Sequence, residues 1–301
     1  MIQGAGHPIK MVTCILLMRA PIPTRTVLSM IDLHCHMLPG IDDGAPDLHT
    51  ALEMAKIAVR DGIRMTACTP HIYPGLYDNT GAQIMQEVQA LRTRIQEADI
   101  PLEITYGADI QLVPELVHGL RSGHMPTLHG TRYFLFEPPH HMVPVGFSRL
   151  IFDLLASGYQ PVITHPERLT WLDDEHYGWF VDAARSGAWI QLTAGAVTGR
   201  FGPHPKYWSQ KFLGDGLVHI LATDAHDPEH RPPLLAEGRT AAEPYIGADE
   251  AELLVTGRPQ AVIENREPRE IPPPPALGPN ENRSNAVKFR KGWFTRLLSR
   301  G

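Results

Sequence analysis

The chain has 301 residues, 43% of them hydrophobic, and a net charge of -6. That is enough for one large domain or two small ones, and it excludes a nucleic-acid partner drawn by overall positive charge. The three cysteines, Cys14, Cys35 and Cys68, are odd in number and widely spaced, which argues against a disulfide framework and fits a reducing cytoplasm.

The apolar run MVTCILLM at 11–18 follows a single Lys10. It is shorter than the ~18–20 residues of a membrane span. No small-residue cleavage site follows it, so it does not read as a signal peptide. Residues 1–29 are expected to be a disordered leader, or the product of a start codon assigned too early, since Met30 stands directly before the first strand.

Residues 31–35 alternate as a strand, and Pro39 and Gly40 then turn the chain. Asp47 caps a helix whose Leu48, Leu52, Ala55 and Val59 recur at helical spacing, and Gly62 ends it. A strand at 63–69 leads to a helix at 81–98 with Ile84, Val88, Leu91 and Ile95 on one face. A strand at 102–107, a short helix near 113–121 and a strand at 132–137 follow. The pattern then gives a helix at 146–157, a strand at 160–164, a helix at 174–186, a strand at 188–192, a helix at 205–214 and a strand at 217–222. Such alternation, about seven strand–helix repeats, predicts a parallel sheet. The count favours a (β/α) barrel over an open sheet. Residues 233–265 read as helices packed outside. The expected domain is 30–266; from 267 the composition shifts to a Pro-rich linker, IPPPPALGP at 271–279, and a basic, aromatic tail.

Metal-binding side chains recur at the ends of these strands. The runs are IDLHCHMLPGIDDG, ACTPHIY, YGADI, FLFEPP, PVITHPER and LATDAH. They offer His34, His36, Asp43, His71, Asp109, Glu137, His165, Asp224 and His226, five imidazoles and four carboxylates. That is too many for one zinc and suits two or three divalent ions such as manganese, iron or zinc. His34 and His36 fall on one face of a strand, so both can grip one ion, while Cys35 points the other way into a core. Asp224 and His226 repeat that geometry. Glu137 ends the apolar run YFLF, where a carboxylate must be paired or metal-bound. Taken singly, His71 is equally a loop histidine and Asp109 a helix cap; their recurrence on successive strand ends is what points to a site. His140 and His141 are candidate substrate neighbours. His49, His118, His124, His129, His176, His204 and His230 read as solvated. There is no GxSxG elbow, GxxxxGK[ST] loop or CxxxxxR loop, which leaves metal-assisted hydrolysis.

This order of motifs resembles the PHP (polymerase and histidinol phosphatase) family. IDLHCHMLPGIDDGA, TPHIYPG, YGADI, ITHPER and ATDAHDPEHRPP look more narrowly like its CpsB/CapC type, the manganese-dependent tyrosine phosphatases of bacterial capsule and exopolysaccharide synthesis. The resemblance covers about residues 30–265. It implies a distorted (β/α)7 barrel and up to three metal ions. It also implies hydrolysis of phosphotyrosine on a tyrosine kinase that controls polysaccharide export. All nine ligand positions have counterparts, but Asp109 stands where the family usually has Glu, which puts a bridging role in question. Arg168 and Arg231 resemble the family's phosphate-contacting arginines. A small phosphomonoester such as histidinol phosphate or a nucleotide remains an alternative substrate, and a non-catalytic metal-stabilised binding module an alternative role. The tail, with Arg283, Lys288, Arg290, Lys291, Arg296 and Arg300 among aromatic residues, suits peripheral contact with an anionic membrane through 286–300, or else a solvated end.

Overall fold

The computed structural model describes Met1 and residues 29–278; the run at 11–18 and the basic tail lie outside the described residues. Strand β1 (Met30–Cys35) leads to helix α1 (Leu48–Asp61). Asp47 accepts from Thr50 N at 2.8 Å to cap that helix, and Gly62 ends it at φ 96°. Strand β2 (Ile63–Cys68) is followed by a second short strand, β3 (His71–Ile72), before α2 (Gly81–Glu97). The next strand is likewise split, into β4 (Glu103–Tyr106) and β5 (Asp109–Gln111), before α3 (Leu116–Ser122). Then come β6 (Tyr133–Glu137), α4 (Phe147–Ala156), β7 (Gln160–Thr164), α5 (Asp174–Ser186) and β8 (Trp189–Thr193). The core closes with α6 (Ala194–Thr198), α7 (Pro203–Gly214) and β9 (Ile220–Ala222).

Every strand pairing is parallel, in an α/β fold with two sheets ordered β1-β2-β4 and β3-β5-β6-β7-β8-β9. The sheets part where the predicted strands break. Pro70 offers no N–H to a ladder. Gly107 bends the other strand; a Cβ there would meet Leu128 Cδ2 at 2.7 Å. Backbone bonds span the gap, Gly107 N to Cys68 O at 3.0 Å and Asp109 N to Pro70 O at 3.1 Å. At the other edge, the chain after β9 meets β1 through Asp224 N to His34 O and His36 N to Ala225 O, each 2.8 Å.

Strand alternation sorts the core. Tyr133, Leu135, Val162, Trp189 and Ile220 form one buried cluster with Ile31, Leu33 and Ala67. Phe134, Phe136, Ile163, Ile190 and Leu221 pack with helix residues such as Ala55, Leu91, Leu154, Phe180 and Phe212. Each large side chain so buried contributes about 1.5–3 kcal/mol. Two residues on from Leu135 on the same face comes Glu137; beyond Val162 comes Thr164; beyond Trp189 come Gln191 and Thr193. The strands are therefore apolar at their beginnings and polar at their C-terminal ends.

Three further helices follow as the sequence predicts, α8 (Ala236–Ile246), α9 (Ala248–Val255) and α10 (Gly257–Ile263). But α10 does not lie wholly outside: its Ala261 and Val262 are buried in the cluster of Tyr133, Trp189 and Ile220. Residues 267–278 depart from the expected free linker. Ile271 is buried, Arg258 Nε donates to Pro272 O at 2.9 Å, and Ala276 N donates to Gly216 O at 3.1 Å. Proline supplies carbonyl acceptors at little entropic cost, so this stretch serves as a strap. Among the described residues no helix is long and apolar enough to cross a membrane.

Candidate metal centre

β1 carries His34 and His36 to the polar end of the fold, both fully buried. The His34 ring binds Gln191 Oε1 through Nδ1 at 2.8 Å, and His36 Nδ1 meets Asp42 Oδ2 at 2.7 Å. A third ring, His226, holds the backbone carbonyl of Asp224 through Nδ1 at 3.0 Å. Carboxylate and carbonyl oxygens only accept, so each Nδ1 carries a proton and each Nε2 turns inward. There His34 Nε2 and His36 Nε2 approach to 3.1 Å, and Asp224 Oδ1 lies 3.4 Å from both.

The other strand ends complete the cluster. Asp109, at the start of β5, is fully buried with Oδ2 3.5 Å from His34 Nε2, 3.7 Å from His71 Nδ1 and 3.6 Å from His165 Nε2. Thr164 holds its other oxygen at 3.2 Å. The shorter acid thus stands among three imidazoles. Glu137 Oε2 lies 3.6 Å from His71 Nδ1, and its Oε1 3.8 Å from His165 Nε2 and His140 Nε2. Asp43 Oδ1 is 3.5 Å from Nε2 of both His71 and His226. Two of these residues hold left-handed backbones unusual for non-glycine residues, His165 at φ 31° and Asp224 at φ 50°. Such strain costs about 1–3 kcal/mol and gathers at functional sites.

Electrostatics follow from this crowding. Burial, reinforced by neighbouring imidazoles, lowers His34, His71 and His226 to about 4, so they are neutral and fit to ligate at pH 7. Burial also opposes charge on His36, but Asp42 and Asp224 outweigh it and raise His36 to about 10. Burial and then the Asp109 and Asp224 charges push Glu137 well above the usual carboxylate range. Asp224 is held well below it, against its burial, by Arg231 and Arg168.

The donors fit divalent cations on this structure's own terms. Asp109 Oδ2, His71 Nδ1, His165 Nδ1 and His226 Nε2 are buried without hydrogen-bond partners. Leaving such atoms unpaired costs about 1–3 kcal/mol apiece. The side chains form overlapping groups with ligand atoms within 4.8 Å of one another: His36, Asp43, His71 and His226; His34, His36 and Asp224; His34, Asp109 and His165; His71, Asp109 and Glu137; and Glu137, His140 and His165. All nine residues chosen from sequence converge here, and His140 joins them. His141 is exposed and lies instead near Thr170 Oγ1, at 3.4 Å. The histidines expected to be solvated belong to none of these groups, although His129 bonds Thr105 Oγ1 at 2.6 Å and His204 accepts from Trp208 at 3.1 Å.

Arg168 and Arg231 stand at the same end. Their guanidinium groups converge on Asp224 Oδ2, Arg231 at 2.7 Å, and both remain about one-fifth exposed. The sequence does not announce the residues that orient these imidazoles. Asp42 binds the His36 ring and accepts from His71 N at 3.0 Å. Gln191 was legible only as a polar residue inside the apolar strand WIQLT. Asp32 accepts from Thr223 N at 3.0 Å and His34 N at 3.3 Å, fixing the chain crossing beneath the site.

Comparison with known proteins agrees with this arrangement. A family described as "Capsular polysaccharide synthesis, CpsB/CapC" matches residues 30–264. Tyrosine-protein phosphatase YwqE of Bacillus subtilis is 35% identical over 246 residues, 82% of this chain and 96% of its own length. Tyrosine-protein phosphatase CpsB of Streptococcus pneumoniae is 27% identical over 244 residues, 78% of this chain and 98% of its own. A chain from the crystal structures of these two proteins, described as unique metal-dependent tyrosine phosphatases, superposes with a TM-score of 0.74 at 34% identity, covering 79% of this chain and 96% of that one. Histidinol phosphate phosphatase of Lactococcus lactis, at 12% identity and a TM-score of 0.50, shares the fold alone. With a family match over residues 30–264 and a 35%-identical relative covered along nearly its whole length, the chain belongs to the CpsB/CapC family of capsular polysaccharide synthesis.

Proposed function

We propose that this chain is a metal-dependent protein-tyrosine phosphatase of capsule or exopolysaccharide synthesis, acting on the phosphotyrosine of a tyrosine kinase in polysaccharide export. The observation that carries this is the convergence of all nine candidate ligands into one largely buried cluster, with Asp43 at its exposed rim. It is supported by 35% identity along nearly the full length of a tyrosine-protein phosphatase. In this reading the two sheets form one distorted (β/α)7 barrel spanning 30–266, with β2–β3 and β4–β5 each counting as one broken strand.

The residues present would hold two or three divalent ions, manganese first and iron or zinc as alternatives. Ions held there would supply Lewis acidity, giving a hydroxide nucleophile at neutral pH and neutralising phosphoryl charge. The protein's own part is positioning. Gln191 and Asp42 fix the tautomers of His34 and His36. Asp109 sits among three rings. Arg168 and Arg231 orient Asp224 and, being partly exposed, offer further N–H donors to phosphoryl oxygens.

A substrate panel tests the reading. With added manganese, the protein should release phosphate from a phosphotyrosine peptide far faster than from histidinol phosphate or nucleoside monophosphates, and His34→Ala should abolish that release. Preference for histidinol phosphate would move the protein to small phosphomonoesters. No turnover of any phosphoester by the metal-loaded protein would leave only a binding role.

A further inference from the structure

Phe201 occupies the turn between α6 and α7, flanked by Gly199 at φ 96° and Gly202 at φ 92°. Both glycines hold backbone that side-chain-bearing residues rarely adopt, which lets a short turn carry the ring to the site. The ring lies 4.9 Å from the Arg168 guanidinium carbon and 5.8 Å from that of Arg231. Gly195 makes room for it, since a Cβ there would come within 3.1 Å of Phe201 Cε2. The turn is tied down by Arg200 Nη2 donating to Glu237 Oε1 at 2.6 Å.

The two arginines arrive from different places, Arg168 from the turn after β7 and Arg231 from the loop after β9. Both are long and flexible, and both reach Asp224 Oδ2. One carboxylate facing two guanidinium groups leaves one positive charge uncompensated. The negative face of an aromatic ring in reach of both supplies a second attraction. Arg231 Nε is buried without a hydrogen-bond partner, so the pair has donor capacity left over.

We propose that Phe201 is a positioning residue, its ring the shared platform that holds Arg168 and Arg231 together as one phosphate-binding fork beside Asp224. The substrate in question rests on the phosphatase reading above, but inorganic phosphate probes the fork directly. The ring acts through the two guanidinium groups that it faces.

The test uses the full chain loaded with manganese. Phe201→Leu removes the π face and keeps an apolar side chain, whereas Phe201→Tyr keeps the face. Phosphate affinity by calorimetry, KM and kcat on a phosphotyrosine peptide, metal content and melting temperature are measured for each. Two cation–π contacts predict that Phe201→Leu weakens phosphate binding and raises KM by about 5- to 30-fold, with kcat and metal content close to the parent. Phe201→Tyr should stay within about threefold of the parent, because its ring face is retained. Gly195→Ala, which crowds the ring without removing it, should weaken phosphate binding by a smaller factor and serves if Phe201→Leu does not fold. Unchanged phosphate affinity in Phe201→Leu, or in Gly195→Ala where that variant stands in, overturns the proposal. So does a fall in metal content and melting temperature that accounts for the whole affinity loss, which would make the ring mere packing. A parent protein that binds phosphate but leaves phosphotyrosine intact would sink the phosphatase reading, while the ranking of phosphate affinities would still decide the role of Phe201.

Discussion

Arg258 and Asp224 are both buried charges at opposite ends of β9, and the protein treats them differently. Arg258 is closed off. Its Nη2 donates to Glu250 Oε1 at 2.7 Å, Nε to Pro272 O at 2.9 Å and Nη1 to His219 O at 3.4 Å. Next to it the His219 ring accepts from Ile190 N at 3.1 Å and stacks on Trp189 at 5.0 Å. Burial and the Arg258 charge keep His219 neutral, and no carboxylate joins it in a potential metal group. At the Asp224 end, by contrast, carboxylates and imidazoles face one another across 3.4–3.8 Å with several atoms unpaired. Burial alone does not separate structure from function here. Saturation does: a buried polar group whose bonds are filled by protein locks the fold, and one whose lone pair converges on others awaits a ligand.

The largest effect expected is from metal removal. Chelation followed by dialysis should cut phosphotyrosine hydrolysis by several orders of magnitude, and manganese should restore it. A metal-free protein with full turnover would erase the contrast between the two ends. Next come paired single substitutions. Asp224→Ala should lower kcat/KM at least about a hundredfold and release metal. Arg258→Met should instead cost about 3–5 kcal/mol of stability, because the half-buried Glu250 and the carbonyls of Pro272 and His219 lose their donor, with metal content per folded molecule unchanged. Thermal melts beside metal analysis separate the two, and the comparison fails if Arg258→Met loses metal while still folded.

A smaller change is expected one step back from the donors. Asp42→Asn should weaken metal binding by about 10- to 100-fold through the His36 ring, read by competition with a chelating dye. Gain of affinity there would mean that the ring does not depend on its partner. Smallest is Asp109→Glu, where manganese occupancy should stay level or rise. Loss of both metal and activity would show that the pocket has shaped itself to the shorter acid now standing among His34, His71 and His165.

The amino-acid sequence by itself determined the strand–helix alternation, the helix at 174–186 with Gly187 at its end, and the nine side chains that gather at the strand ends. Those signals are local: periodicity, caps, and polar residues closing apolar runs. Tertiary structure alone decided the rest. Gly107 bends its strand where Leu128 and Thr69 approach, a fact no single strand contains. Gln191 orients His34 from 157 positions away, so nothing near either residue announces the pair. His219 and His226 look alike in sequence, each a histidine in or just beyond a short strand. Only the packing gives one a filled set of partners and the other an open nitrogen, because partner saturation is a property of the neighbours brought by folding and not of the residue. The proline run after Ile271 reads as a linker by composition, yet it becomes a strap because Arg258 and Gly216 supply the bonds that hold it.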